Sequence, residues 1–183
     1  TSLANNWKKT TRGTALLVLE NVFDKAAYTN IALNHVLKSS AMSSKDKALV
    51  TELVYGTVAR KITLEWYLAH YIADRDKLEP WVYYLLMVSF YQLLYLDKVP
   101  DHAVVNDAVA IAKNRGNKQG AEKLVNAVLR RASKEPLPDP SSIKRKNKRL
   151  SVLYSMPVWL VKKLSEQYGE DRAIAILASL YVR

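Results

Sequence analysis

The stretch DHAVVNDAVAIAKNRGNKQGAEKLVNAVLRR, Asp101–Arg131, decides the fold. At about 100° per residue its first half places Val104, Val105, Ala108, Val109, Ile111 and Ala112 on one arc, with Asn106 and Lys113 just off the edge. Its second half gathers Ala121, Leu124, Val125, Val128 and Leu129, with Asn126 beside Leu129 and with Lys123 and Arg130 pointing away. The loop RGNKQG separates the halves. Two amphipathic helices follow, about His102–Asn114 and Gly120–Lys134, each burying one face and the second presenting a basic one. The two edge asparagines either make local hydrogen bonds or brace the helices against each other.

Helical spacing continues on the N-terminal side of this stretch, and no segment shows strand alternation flanked by hairpin turns. The fold class is therefore all-α. Helices are expected over about Thr11–Lys25, from Asn30 to near Ser39, from a capping box at Ser43–Asp46 to about Arg60, and over Leu64–Ile72. Gly56 inside the third of these costs about 1 kcal/mol against alanine, which points to a close helix crossing. The apolar run WVYYLLMVSFYQLLYL, Trp81–Leu96, is interrupted by Ser89 and Gln92 and falls short of the ~20 residues a bilayer needs. It reads as a central core helix, with no membrane association implied.

Composition narrows the chemistry. The 183 residues suffice for one buried core, and the absence of cysteine excludes disulfides, thiolate metal sites and a cysteine nucleophile, which suits a reducing, cytoplasmic setting. No signal peptide opens the chain, and its threonine start suggests a trimmed edge. His35, His70 and His102 have no partners at metal-ligand or triad spacing, and Asp74, Asp76 and Glu79 read as a solvated loop. The five glycines form no phosphate-cradling loop. Neither a catalytic nor a metal site is expected.

The net charge of +11 is unevenly spread, since residues 113–149 hold 12 basic and only 3 acidic side chains. A concentrated basic stretch is the footprint expected for nucleic acid, where each neutralised phosphate releases counterions. The expected phosphate contacts are Lys8, Lys9 and Arg12 near the first helix, with Lys113, Arg115, Lys118, Lys123, Arg130 and Arg131. From Glu135 the character changes, because Pro136, Pro138 and Pro140 precede the basic run KRKNKR, Lys144–Arg149. This gives a domain over 1–135, a Pro-rich and basic linker over 136–150 and a further segment over 151–183. That segment supplies two short helices, VWLVKKLSEQY and the one beginning EDRAIAILAS, which must dock on the first domain, lie disordered, or belong to a second module cut short.

The segment from Pro100 to Arg131 resembles the NusB-like fold, an RNA-binding helical domain of transcription antitermination factors. The matching residues are Pro100, Val105, Asn106, Asp107, Ala108, Val109, Lys113, Val125 and Asn126. RGTALLVLENVF, Arg12–Phe23, and LVYGTVAR, Leu53–Arg60, fall where that family's other helices fall. The ending NAVLRR, and Tyr154, Ser155, Pro157, Trp159, Leu160, Tyr168 and Gly169 of YSMPVWLVKKLSEQYG, resemble the variant fused to RsmB/Sun-type methyltransferases.

That resemblance implies an RNA-binding front end of an enzyme that methylates carbon five of a cytosine in small-subunit ribosomal RNA. The S-adenosylmethionine domain would then lie downstream of Arg183, where it could contact this domain, and no cofactor would bind this chain. The other reading is an antitermination factor or protein-interaction module of the same fold.

Overall fold

The computed structural model describes residues 6–116 and 120–181. It is all-α: α1 Thr11–Asp24, α2 Thr29–Lys38, α3 Ser44–Ala59, α4 Lys61–Leu68, α5 Pro80–Tyr95, α6 Asp101–Gly116, α7 Ala121–Lys134, α8 Lys146–Tyr154, α9 Val158–Tyr168 and α10 Glu170–Ser179. Short 3-10 turns lie at Asn6–Lys9, Arg75–Lys77 and Pro140–Ser142, and no strand occurs among the described residues.

The apolar run forms the axis of the fold. Pro80 opens α5, and every residue from Trp81 to Gln92 is buried under α1, α3, α4, α6 and α7. Its two polar members donate within the helix: Ser89 Oγ to Leu85 O at 2.7 Å and Gln92 Nε2 to Val88 O at 3.0 Å. No described helix is long and apolar enough to cross a membrane.

The expected close crossing at Gly56 is present. A Cβ there would sit 2.0 Å from Cζ of Tyr91, so α3 packs on α5 only without a side chain at this point. Ser43 Oγ accepts from Asp46 N–H at 3.2 Å, which is the serine half of the capping box. Thr10 Oγ1 caps α1 in the same way, accepting from Gly13 N–H at 3.0 Å.

Two elements differ from the sequence-based expectation. α4 starts at Lys61 rather than Leu64 because its cap comes from far along the chain: Ser155 Oγ accepts from Ile62 N–H at 3.1 Å and Thr63 N–H at 3.4 Å. It also stops at Leu68, after which the backbone turns through bonds from His70 N to Tyr67 O and from Tyr71 N to Leu68 O. The basic run expected to be linker is in part helical. Lys146–Leu150 open α8, because Leu150 and Val152 have a buried place beside α4 and Thr63 Oγ1 donates to Val152 O.

The C-terminal helices dock. Leu150, Val161 and Leu177 of α8, α9 and α10 form a small cluster of their own, flanked by Tyr154, Met156, Leu164 and Ile174. The trio is fastened to the α3–α4 junction by Tyr181. Its Oη lies 2.6 Å from Tyr154 O and 3.1 Å from Ala59 O, and its ring lies 3.5 Å from the Arg60 guanidinium. Trp159 takes no part and stays 66% exposed.

Candidate nucleic-acid interface

α6 and α7 form an antiparallel pair whose inner faces match the arcs read from sequence. Val104, Val105, Ala108, Ile111 and Ala112 are buried on α6, as are Val125, Val128, Leu129 and Ala132 on α7. Lys113, Lys123, Arg130 and Arg131 are exposed on these helices, and Lys8 and Lys9 are exposed on the turn ahead of α1. The turn packs on α1 and α6, and its two lysines line a hollow with Val36, Ser40 and Asp46 at the α2–α3 connection.

Eight of the nine expected contacts lie among the described residues and fall into three groups. Lys8, Lys9, Lys113 and Lys123 have no ion-pair partner among the described residues. Lys8 lies 5.9 Å from the Trp7 ring. Arg130 and Arg131 are exposed but locally steered: Arg130 Nε donates to Asn126 Oδ1 at 2.7 Å, while Arg131 pairs with Glu135 at 3.1 Å and lies over Tyr71 at 4.9 Å. Lys118 falls outside the described residues.

Arg12 and Arg115 are turned inward. Arg12 Nε donates to Gln92 Oε1 at 2.6 Å and its Nη1 pairs with Asp107, joining α1, α5 and α6. Arg115 holds Glu20 with both terminal nitrogens, at 2.8 and 2.5 Å, and its guanidinium lies 5.2 Å from the Trp7 ring and 4.8 Å from that of Trp81. Sequence reasoning missed Glu20, Asp107 and Gln92 as partners. The one available signal was Gln92 itself, a polar residue in an apolar run.

Among the described residues the asparagines make no bond across the helix pair. Asn126 bonds along its own helix to Arg130, and Asn106 is exposed. The local reading of Asn126 therefore holds, and its effect is to fix the direction of a cation.

This geometry defines a class, an all-α bundle with exposed cations on α6 and α7. The NusB family model matches residues 9–134, and the chain belongs to that family. The chain is also similar to a Bacillus subtilis (strain 168) protein described as probable ribosomal RNA small subunit methyltransferase B. The two are 42% identical over 166 residues, covering 91% of this chain and 37% of the relative. A protein of the same description from Synechocystis sp. is 33% identical over 169 residues, again with 91% and 37% coverage. The crystal structure of PH0851 shares the fold, with a TM-score of 0.72 at 15% identity over 94% of this chain and 39% of that one. The chain thus spans little more than a third of the length of the curated relatives it matches.

Proposed function

We propose that the chain is the RNA-binding part of an S-adenosylmethionine-dependent methyltransferase acting on cytosine carbon five of small-subunit ribosomal RNA in the cytoplasm. In this reading residues 1–135 are the RNA-binding domain, and the segment after the 136–150 connection begins the methyltransferase module and contacts the catalytic part. The methyl donor and the catalytic residues belong to that remaining part of the protein.

One observation carries the reading over the antitermination alternative. The family model stops at residue 134, whereas the similarity to the methyltransferase relatives covers 91% of the chain, which must include part of the C-terminal trio. The trio is also fastened to the bundle through Ser155 and Tyr181, which supports reading the two as one unit.

Phosphate contacts come from Lys8, Lys9, Lys113, Lys123, Arg130 and Arg131, with Lys118, which lies between α6 and α7 in the sequence. Arg12 and Arg115 instead hold α1 against α5 and α6, and so position the surface. Such contacts set register on the RNA without reading sequence, leaving the target base to the catalytic part.

The test is a salt titration of binding to a ribosomal RNA fragment. With about five phosphates neutralised, the log-log slope is expected near −3.5 to −4.5, at about 0.7–0.9 per contact. Arg130→Ala/Arg131→Ala should flatten it by about one to two and weaken all sequences alike. An unchanged slope with a lowered melting temperature would assign these arginines to the helix end alone.

A further inference from the structure

The basic run Lys144–Arg149 is left over by the surface just described. It lies on and before α8, where that helix and α4 leave an opening of about 890 Å³ between them. Ile62, Val152 and Val158 line it with aliphatic surface and Trp66 with an indole, while Arg145 and Lys148 stand among the lining cations. Lys146 is tied to Glu170, and Arg149 donates to Ile143 O at 3.0 Å. Arg145 and Lys148 are exposed and have no ion-pair partner among the described residues. Trp66 is half-buried, its ring meets His70 edge-on at 4.5 Å, and its Nε1–H has no acceptor among the described residues.

An opening of this size lies in the range that takes a small-molecule-sized group, about 300–1,000 Å³. Its occupant must satisfy two demands at once. Its lining combines apolar and aromatic surface from Ile62, Trp66, Val152 and Val158 with positive charge on Arg145 and Lys148. A carboxylate would meet the cations but gain nothing from the indole, and an aliphatic side chain would leave the cations unmatched. An unpaired nucleotide meets both demands, because a base stacks on an aromatic ring whatever its identity while its phosphates sit on the flanking cations.

We propose that the α4–α8 groove is a second RNA site, distinct from the α6–α7 face, that holds one or two unpaired nucleotides with a base against Trp66 and phosphates on Arg145 and Lys148. It shares with the proposed function the premise that the partner is RNA, but names a different surface and a single-stranded segment.

The test uses the full chain with a labelled oligouridine of eight nucleotides and, separately, an RNA duplex. Arg145→Ala/Lys148→Ala and Trp66→Leu should each weaken oligouridine binding by about tenfold while changing duplex affinity less than twofold. Arg130→Ala/Arg131→Ala should do the reverse. Because both cations are exposed, the first variant keeps the fold, and its melting curve checks this. Unchanged oligouridine affinity in both groove variants overturns the groove site and leaves the α6–α7 face standing if the duplex still responds to Arg130 and Arg131. An octaglutamate peptide that displaces oligouridine equally well would show a mere anion trap, and it too overturns the proposal. If the wild-type chain binds neither RNA, both readings fall.

Discussion

Arg12 Nε donates to Gln92 Oε1 across 80 residues of sequence, at 2.6 Å, and the same guanidinium pairs with Asp107. Gln92 is 1% exposed, so its oxygen has no access to water and depends on this partner. One arginine thereby sets the relation of α1, α5 and α6, and with it the face that α6 turns outward.

Arg12→Ala is expected to cost about 1–3 kcal/mol, the penalty for leaving a buried acceptor unpaired. At about 2–4 °C per kcal/mol for a chain of this size, the melting temperature should fall by roughly 4–8 °C for a mid-range loss. Lys113→Ala, at an exposed position with no ion pair, should leave it within about 1 °C. Equal melting temperatures for the two variants would refute the role assigned to Arg12.

Gly56→Ala should destabilise by about 1–3 kcal/mol through overpacking, since the new methyl would overlap the Tyr91 ring. The cost should shrink in a Tyr91→Leu background, where the obstructing ring is gone. A double-mutant cycle by urea unfolding measures this, and additive effects would mean the crossing is not what excludes a side chain.

Ser155→Gly should remove the cap of α4 while easing the positive φ of 52° at that position. Amide hydrogen exchange at Ile62 and Thr63 should quicken, and Ser155→Ala should be less stable than Ser155→Gly because alanine loses the hydroxyl and keeps the strained backbone. Undisturbed exchange at Ile62 in both variants would rule out the long-range cap.

Alkaline unfolding should depend on two tyrosines. Burial pushes the Tyr83 phenol up to about 12, helped by the Glu65 carboxylate, and burial and a hydrogen bond to Asp24 do the same for Tyr84. Both values lie above the unfolded value near 10, so the protonated forms favour the fold. Their contribution is complete below about pH 10 and is lost as pH rises toward about 12. Tyr83→Phe/Tyr84→Phe should flatten the fall in stability across that window, as read by denaturant midpoints at pH 9, 10 and 11. A parallel fall in wild type and variant would assign it to other groups.

Local pattern was enough for much of this protein. The apolar arcs of α6 and α7, the largely apolar α5 and the serine ahead of α3 each express a rule that acts within a few residues, so the all-α class and most helix positions could be read directly. The family resemblance of Pro100–Arg131 lay in the same short range. Gly56 was legible as a crossing because a glycine inside a helix has a local cost that asks for a distant reason.

What the sequence alone left undetermined depends on groups far apart in the chain. The start of α4 depends on Ser155, and α8 is helical because Leu150 and Val152 find cover beside α4. Arg12 and Arg115 look as cationic in sequence as Arg130 and Lys123. Only the tertiary structure sets Gln92, Asp107 and Glu20 within hydrogen-bonding reach of them and separates the arginines that hold the bundle from the cations that face solvent. Charge is a property of the residue, whereas its availability depends on which partners the fold brings within about 3 Å.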